Sequence, residues 1–292
     1  MKVRYSELFA SFQGEATYTG MPSIWLRFFG CNLECAGFGQ KNPCDPATYE
    51  LPHQTMDLSK IQFMHELPVL TKGCDSAYSW SNRFKHLAYD SSPEELAENI
   101  NRLAHEKLGL TDWRHPVTNK TAQLCFTGGE PMMQQKQMVA VVQALNVKME
   151  DFIVPQVTIE TNATKPLTKD FQGLIEGCSN LHFAMSPKLF NVSGEKDAVK
   201  MGIIESYCSV SDTACIKFVH NGSKEAWDEL EKYEATMRHL PDWVEYYIMP
   251  VGADVESQQA GNIAEICDEA MLRGYRVSAR VHTYIYGNKM GT

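Results

Sequence analysis

Short runs of β-branched and aromatic residues recur along the chain, and the segments between them carry helical end signals. The runs are SIWLRFF (23–29), AQLCFT (122–127), QVTIE (156–160), LHFAM (181–185), CIKFV (215–219), EYYIM (245–249) and YRVSARV (275–281). Each has the length and residue types of a strand. Ser92-Pro93-Glu94-Glu95 places an N-cap serine before a proline at the first helical position and the glutamate of a capping box, opening a helix that runs to Gly109. Ser223 opens a second helical segment. A third follows Val255 and ends at Arg273, before a Gly274 suited to the left-handed turn that closes a helix. Strands alternating with helices predict βα units and a mainly parallel sheet, open or barrel-like.

Two stretches break this rhythm. Residues 37–73 hold Pro43, Pro46, Pro52 and Pro68 with little periodicity. They read as a long insertion or functional loop, because a strand run ends close before them. Residues 190–213 are also irregular. No composition shift marks a second domain, so 1–292 reads as one unit, long enough to bury a full core without cross-links. A composition of 43% hydrophobic and 22% charged residues excludes a wholly disordered chain. The net charge of −9 argues against gripping nucleic acid through its phosphates, and leaves room for a small anion in a locally basic pocket. The opening MKVRYSELFASFQGE lacks the apolar core of a secretion signal, and no run approaches the roughly 18 apolar residues of a membrane span. A cytoplasmic setting is expected.

The nine cysteines are unevenly placed. Cys125, Cys178, Cys208, Cys215 and Cys267 stand singly in apolar stretches and read as packing residues. Cys31, Cys35, Cys44 and Cys74 precede residue 75, and clustered cysteines in a reducing compartment point to metal or catalysis. Cys31 and Cys35 lie in GCNLEC (30–35), on a loop leaving a strand, which suits an iron–sulfur cluster or zinc; the plainer alternative is a pair of small buried hydrophobes. A cluster needs a third thiolate nearby, from Cys44 in PCDPATY or Cys74 in GCDSAYSW. Downstream, LCFTGGEPMM (124–133) sets two glycines at a strand's C-terminal end, where backbone can approach a ligand, and adds Glu130 as an acceptor for an amine.

Together GCNLEC and TGGEP resemble the radical S-adenosylmethionine (SAM) superfamily. That resemblance implies three cysteines on three irons of a [4Fe–4S] cluster, with the fourth iron left for the methionine end of SAM. A narrower resemblance follows in order along the chain. SELFASFQGE (6–15), GMPSIWLRFFGCNLEC, TGGEP (127–131), IETNAT (159–164), MSPKL (185–189) and His282 in VHTYIYG resemble the 7-carboxy-7-deazaguanine synthases. It implies an α/β fold, an incomplete (β6/α3-like) radical-SAM barrel with residues 37–73 inserted in the cluster loop. It also implies a lyase that turns 6-carboxy-5,6,7,8-tetrahydropterin into 7-carboxy-7-deazaguanine with loss of ammonia, as in queuosine-type 7-deazapurine biosynthesis. The implied cofactors are the [4Fe–4S] cluster, SAM and Mg²⁺. The implied partners are the pterin, a reductase or flavodoxin as electron donor and a second copy in a homodimer, with no direct nucleic acid and no membrane.

By the same resemblance Phe12, Gln13, Gly14, Glu15, Arg27, Thr127 and His282 bind the pterin, Arg27 through its carboxylate. Gly128, Gly129, Glu130, Glu160, Thr161, Asn162, Ser186, Pro187 and Lys188 contact SAM. The family's usual third cysteine position is Phe38 here, so the third ligand is displaced. Cys74, followed by Asp75, Ser76 and Trp80, matches the family's Cys-Asp-Thr…Trp pattern, and Ser76 takes the hydroxyl role on Mg²⁺. Cys44 is followed by Asp45 and Pro46, which offers no hydroxyl, and Pro43 and Pro46 stiffen the chain around it. Cys31, Cys35 and Cys74 are therefore the expected ligands. Two rival readings remain: another radical-SAM enzyme such as a glycyl-radical-enzyme activase, disfavoured by Arg27 and the SFQGE opening, and a non-catalytic iron–sulfur or zinc protein.

Overall fold

The computed structural model describes residues 1–148 and 153–291. Among the described residues nine strands form one sheet: β1 (Val3–Phe12), β2 (Pro22–Phe28), β3 (Tyr89–Ser91), β4 (Gln123–Gly128), β5 (Val157–Thr161), β6 (Leu181–Met185), β7 (Thr213–His220), β8 (Glu245–Pro250) and β9 (Arg276–Val277). Their order is β3-β1-β2-β4-β5-β6-β7-β8-β9. From β2 to β9 each neighbouring pair is parallel, while β1 is antiparallel to β2 and β3. From β4 onward each strand is added on the same side of the last. The two ends of the order are separate edges, so the sheet is open. The α/β class expected from the alternation is present, in a sheet that also includes β1, β3 and β9. Helices are more numerous than the three expected: five of eight or more residues stand among the described residues.

The strand runs at 23–29, 122–127, 156–160, 181–185, 215–219 and 245–249 all lie within strands of the sheet or within a residue of them. The run at 275–281 is corrected. Only Arg276–Val277 pairs with β8; the chain then turns into a helix at Val281–Tyr286. The helix Pro93–Leu108 begins as expected: the Ser92 side chain accepts from the Glu95 amide at 3.1 Å, and Gly109 closes it at φ 63°. Ser223 caps the helix Lys224–Met237 in the same way. The helix expected from Val255 starts later, at Ile263, and ends at Leu272. The Asp254 carboxylate holds the Ser257 amide at 2.8 Å in a tight turn before Gly261, which delays it. Residues 190–213 are not irregular throughout, since they contain helices at Phe190–Ser193 and Met201–Cys208. The helix Gln135–Lys148 was outside the sequence reading.

One large apolar core lies between the sheet and its helices. A second, smaller one joins Met64, Leu67 and Leu70 of the insertion to Ala77, Tyr78, Phe84 and Leu87. The insertion is thus a folded excursion with an apolar centre of its own. At the other end of the site, β1 contains a bulge. Tyr5 faces Phe28, but the next pair is Glu7 with Arg27, so Ser6 is the extra residue. Without it Ser6 would stand opposite Arg27; the extra residue re-aims the strand and delivers a carboxylate there.

Ser92→Ala removes the cap of a long helix that packs on the sheet. The expected loss is about 1 kcal/mol, read as a lower urea midpoint with an unchanged slope.

Candidate functional site

The carboxyl ends of the parallel strands open on a cavity of about 540 Å³, where ligands bind in sheets of this type. β2 brings Arg27 beside Thr127 of β4, and Gly128 and Gly129 follow at the end of that strand. β5 brings Glu160 and Thr161 and leads to Asn162, β6 leads to Ser186 and Lys188, and β7 brings Lys217. The turn after β1 supplies Phe12 to Glu15, and the segment after β9 supplies Arg280 and His282. The insertion adds Leu67, Pro68 and Val69 as an apolar wall and ends at Cys74 to Ser76. Every residue expected at the site lines this cavity except Glu130 and Pro187.

Glu130 requires a correction. It is fully buried, its Oε1 accepting from the Thr161 hydroxyl at 2.6 Å and the Met132 amide at 2.9 Å, its Oε2 from the Asn162 amide at 2.7 Å. Its carboxylate stitches the end of β4 to the end of β5 and does not form part of the wall where an amine would sit. Pro187 stands off the wall between Ser186 and Lys188.

The cysteines divide clearly. Cys31, Cys35 and Cys74 line the cavity, whereas Cys44 does not; its sulfur lies 3.4 Å from Asn191 Oδ1. The Leu33 amide donates to the Cys31 sulfur at 3.4 Å, and the Cys74 sulfur lies 3.4 Å from the Ser76 hydroxyl. Cys35 holds a left-handed φ of 49°, and its amide donates to Glu195 at 2.6 Å. Burial pushes the Cys31 thiol up to about 12 and raises Cys35 and Cys74 as well, with Lys188 opposing at the first two. Metal ligation replaces the proton of such a thiol, so these raised values oppose a free thiolate and not a metal-bound one. Among the described residues no three His, Cys, Asp or Glu are grouped to hold one metal ion. A cubane takes each thiolate on a different iron, so its ligands stand farther apart than those of zinc. The Mg²⁺ expected at Ser76 finds no such acidic group to join, and the neighbouring Asp75 is paired with Arg280 at 2.9 Å.

Two glycine contacts weld the loops together. A Cβ on Gly129 would collide with the Gly30 carbonyl oxygen and come within 2.8 Å of Cys31 Cβ, while the Glu130 amide donates to that carbonyl at 2.8 Å. The two-glycine loop and the cysteine loop therefore meet backbone to backbone. A Cβ on Gly14 would collide with His282, whose neighbour Val281 donates its amide to the Gly14 carbonyl at 2.9 Å.

The cavity floor is a charged network absent from the sequence reading. Lys217 is 3% exposed, and its ammonium lies 2.7 Å from Glu15 Oε2 and 3.4 Å from Glu160 Oε1. Glu160 also accepts from the Gln13 side-chain amide at 3.2 Å and from the Thr127 hydroxyl at 3.3 Å. Burial alone would raise the Glu15 pKa, but Lys217 and Arg280 overcome it and hold the carboxyl far below its usual range. Burial would likewise discharge Lys217, and Glu15 and Glu160 keep its pKa raised instead. Burial lowers His282, which favours a neutral ring. Arg27 is held at Nε by Glu7 at 2.7 Å, with its guanidinium 5.7 Å from the Tyr78 ring centre. Glu7 also accepts from the Tyr78 hydroxyl at 3.2 Å and the Gly291 amide at 2.8 Å. Glu7, Tyr78, Lys217 and Arg280 were not singled out from sequence. Lys217 carried a usable signal: a charge inside the apolar run CIKFV requires a buried partner.

No family model matches the chain. Curated proteins named 7-carboxy-7-deazaguanine synthase align along its length. The one from Pyrobaculum aerophilum is 24% identical over 294 residues, covering 99% of this chain and 97% of the relative. That from Leptospira interrogans is 22% identical over 299 residues, covering 100% and 98%. The chain resembles the 7-carboxy-7-deazaguanine synthases from end to end. A third such synthase, from Rhodopirellula baltica, is 25% identical and covers 98% of the chain and 88% of the relative. Among solved structures, QueE from Escherichia coli matches with a TM-score of 0.53 and 19% identity, over 97% of this chain and 95% of that one, which shows a shared fold. No helix among the described residues is long and apolar enough to cross a membrane.

Gly129→Ala tests the weld, because backbone cannot yield as a side chain does. The expected outcome is loss of most iron after anaerobic reconstitution, with the far-ultraviolet dichroism retained. Gly202→Ala, where an added Cβ meets nothing within 4 Å, should keep both.

Proposed function

We propose that this chain is a radical-SAM lyase that converts 6-carboxy-5,6,7,8-tetrahydropterin to 7-carboxy-7-deazaguanine with loss of ammonia, in queuosine-type 7-deazapurine biosynthesis. The observation that carries the reading is the meeting of three separated cysteines, the two-glycine loop, Arg27 and the Phe12–Glu15 turn around one cavity. End-to-end alignment with the synthases supports it. When bound, the [4Fe–4S] cluster and SAM would supply hydrogen-atom abstraction by one-electron cleavage of SAM.

The chain's own part is to hold, orient and keep dry. Cys31, Cys35 and Cys74 would hold the cluster. Gly128 and Gly129 leave their backbone open to SAM, with Glu160, Thr161, Asn162, Ser186 and Lys188 along the adjoining strand ends. Glu7 fixes Arg27 at Nε, so the terminal nitrogens of the guanidinium are the ones offered to the substrate carboxylate in a charge-assisted pair. Gln13, Gly14 and Thr127 present hydrogen-bonding groups to the ring, with Phe12 beside them. A neutral His282 contributes a ring nitrogen without a charge that would draw in water. Ser76 would place its hydroxyl on Mg²⁺. Leu67, Pro68 and Val69 exclude solvent from the side opened by the insertion. A reductase or flavodoxin as electron donor, a second copy in a homodimer and a cytoplasmic setting complete the proposal.

The test is anaerobic turnover with SAM, reductant and carboxytetrahydropterin, followed by mass spectrometry. The deazaguanine product is expected; SAM cleavage with the pterin left unchanged would refute the substrate assignment. Arg27→Met should keep its cluster and weaken substrate binding by about 2–5 kcal/mol, since one partner of a buried charge pair is lost. Unchanged affinity in calorimetry would remove Arg27 from the site.

Paired alanine variants separate the cysteines. Cys44→Ala should retain about four irons per chain, while Cys74→Ala should lose the cluster and all SAM cleavage. The reverse result would move the third ligand to Cys44.

A further inference from the structure

The third proposed ligand stands at the far end of a long excursion, residues 36–73, which separates it from Cys35. A ligand there is only as well placed as whatever fastens that end of the loop, because an unfastened chain of this length samples many positions. Backbone contacts pin the flanks: the Gly73 amide donates to the Phe38 carbonyl at 2.8 Å, and the Gly30 amide to the Ser79 carbonyl at 2.7 Å. Between these pins lie Cys74, Asp75 and Ser76. The central residue, Asp75, pairs through Oδ2 with Arg280 Nη2 at 2.9 Å.

Arg280 makes three contacts of this kind, each to a different part of the chain. Its Nε lies 3.0 Å from Glu15 Oε1, and its Nη1 donates to the Gly252 carbonyl at 2.9 Å. Its side chain is 13% exposed, and that of Glu15 12%. The planar guanidinium thus joins the loop bearing Cys74, the turn after β1 and the segment after β8. A lysine could keep the charge, but its three donors share one nitrogen and could not span partners held at Nε, Nη1 and Nη2. Glu15 is itself fixed by Lys217 at 2.7 Å, which carries the connection onto β7.

We infer that Arg280 is a positioning residue: it clamps the Cys74–Ser76 segment to the cavity floor and so sets the third thiolate against the other two. The inference rests on the proposed cluster ligation. It adds to that reading a cavity-lining residue that would act on the third ligand through Asp75.

Hydrogen exchange on the protein without cluster or pterin tests it directly. Arg280→Lys should speed exchange of the amides at 74–80 by about tenfold or more through local opening, while β4 and β5 amides keep their protection. After reconstitution the same variant should release iron to a chelator faster than the parent. Asp75→Asn, which leaves the contacts of Arg280 with Glu15 and Gly252 in place, should reproduce both effects. Unchanged exchange at 74–80 in Arg280→Lys would overturn the clamp. If that variant unfolds globally, Asp75→Asn decides: local loosening supports the clamp, and parent-like exchange overturns it. Neither readout uses the pterin, so a parent that cleaves SAM but fails to turn the pterin over would sink the substrate reading alone.

Discussion

A lysine ammonium sealed beneath the cavity is the constraint on which the site rests. Lys217 sits on a central parallel strand and is almost wholly removed from water, where a lone charge would lose its proton. Glu15 and Glu160 prevent this, and in doing so they are drawn from the turn after β1 and from β5 to one point. Gln13 and Thr127 gather on Glu160, and Arg280 gathers on Glu15. Removing one member of such a group leaves another buried charge unpaired, so these segments are held in place together. The charges on the cavity floor satisfy one another.

The parallel core was legible because its strands are buried on both faces and read as apolar runs. The edges were not. β1 carries Ser6, Glu7 and Ser11 among its apolar residues, since its polar groups serve the site and the bulge, and this blurs its alternation. β3 has three residues, too few for a pattern. The helix Met201–Cys208 was hidden because its start has no side-chain cap, and the stretch leading to it is held by contacts to distant residues, as when Glu229 accepts from the Phe190 and Asn191 amides. The run at 275–281 looked like a strand because its residues suit one, yet tertiary pairing draws Arg280 into the cavity.

The site was legible where motifs carry it and opaque where pairing does. GCNLEC, TGGEP and SFQGE drew attention to loops that do converge. The same reading put Glu130 on the cavity wall, although its carboxylate is used up inside the protein. Its neighbours supplied no warning, because Thr161 and the Asn162 amide are remote in sequence. Glu7, as the partner of Arg27, depends on a one-residue shift in register that no local pattern reveals.

The second apolar core has a consequence for maturation. Met64, Leu67 and Leu70 come from before Cys74, and Phe84 and Leu87 from after it, so that cysteine is suspended between two halves of a miniature hydrophobic nucleus. With the ligands proposed here, an iron carrier would meet a complete set of thiols only after this nucleus had condensed. Weakening it would then delay acquisition of the cluster in a growing cell, even where the large core kept the finished chain folded.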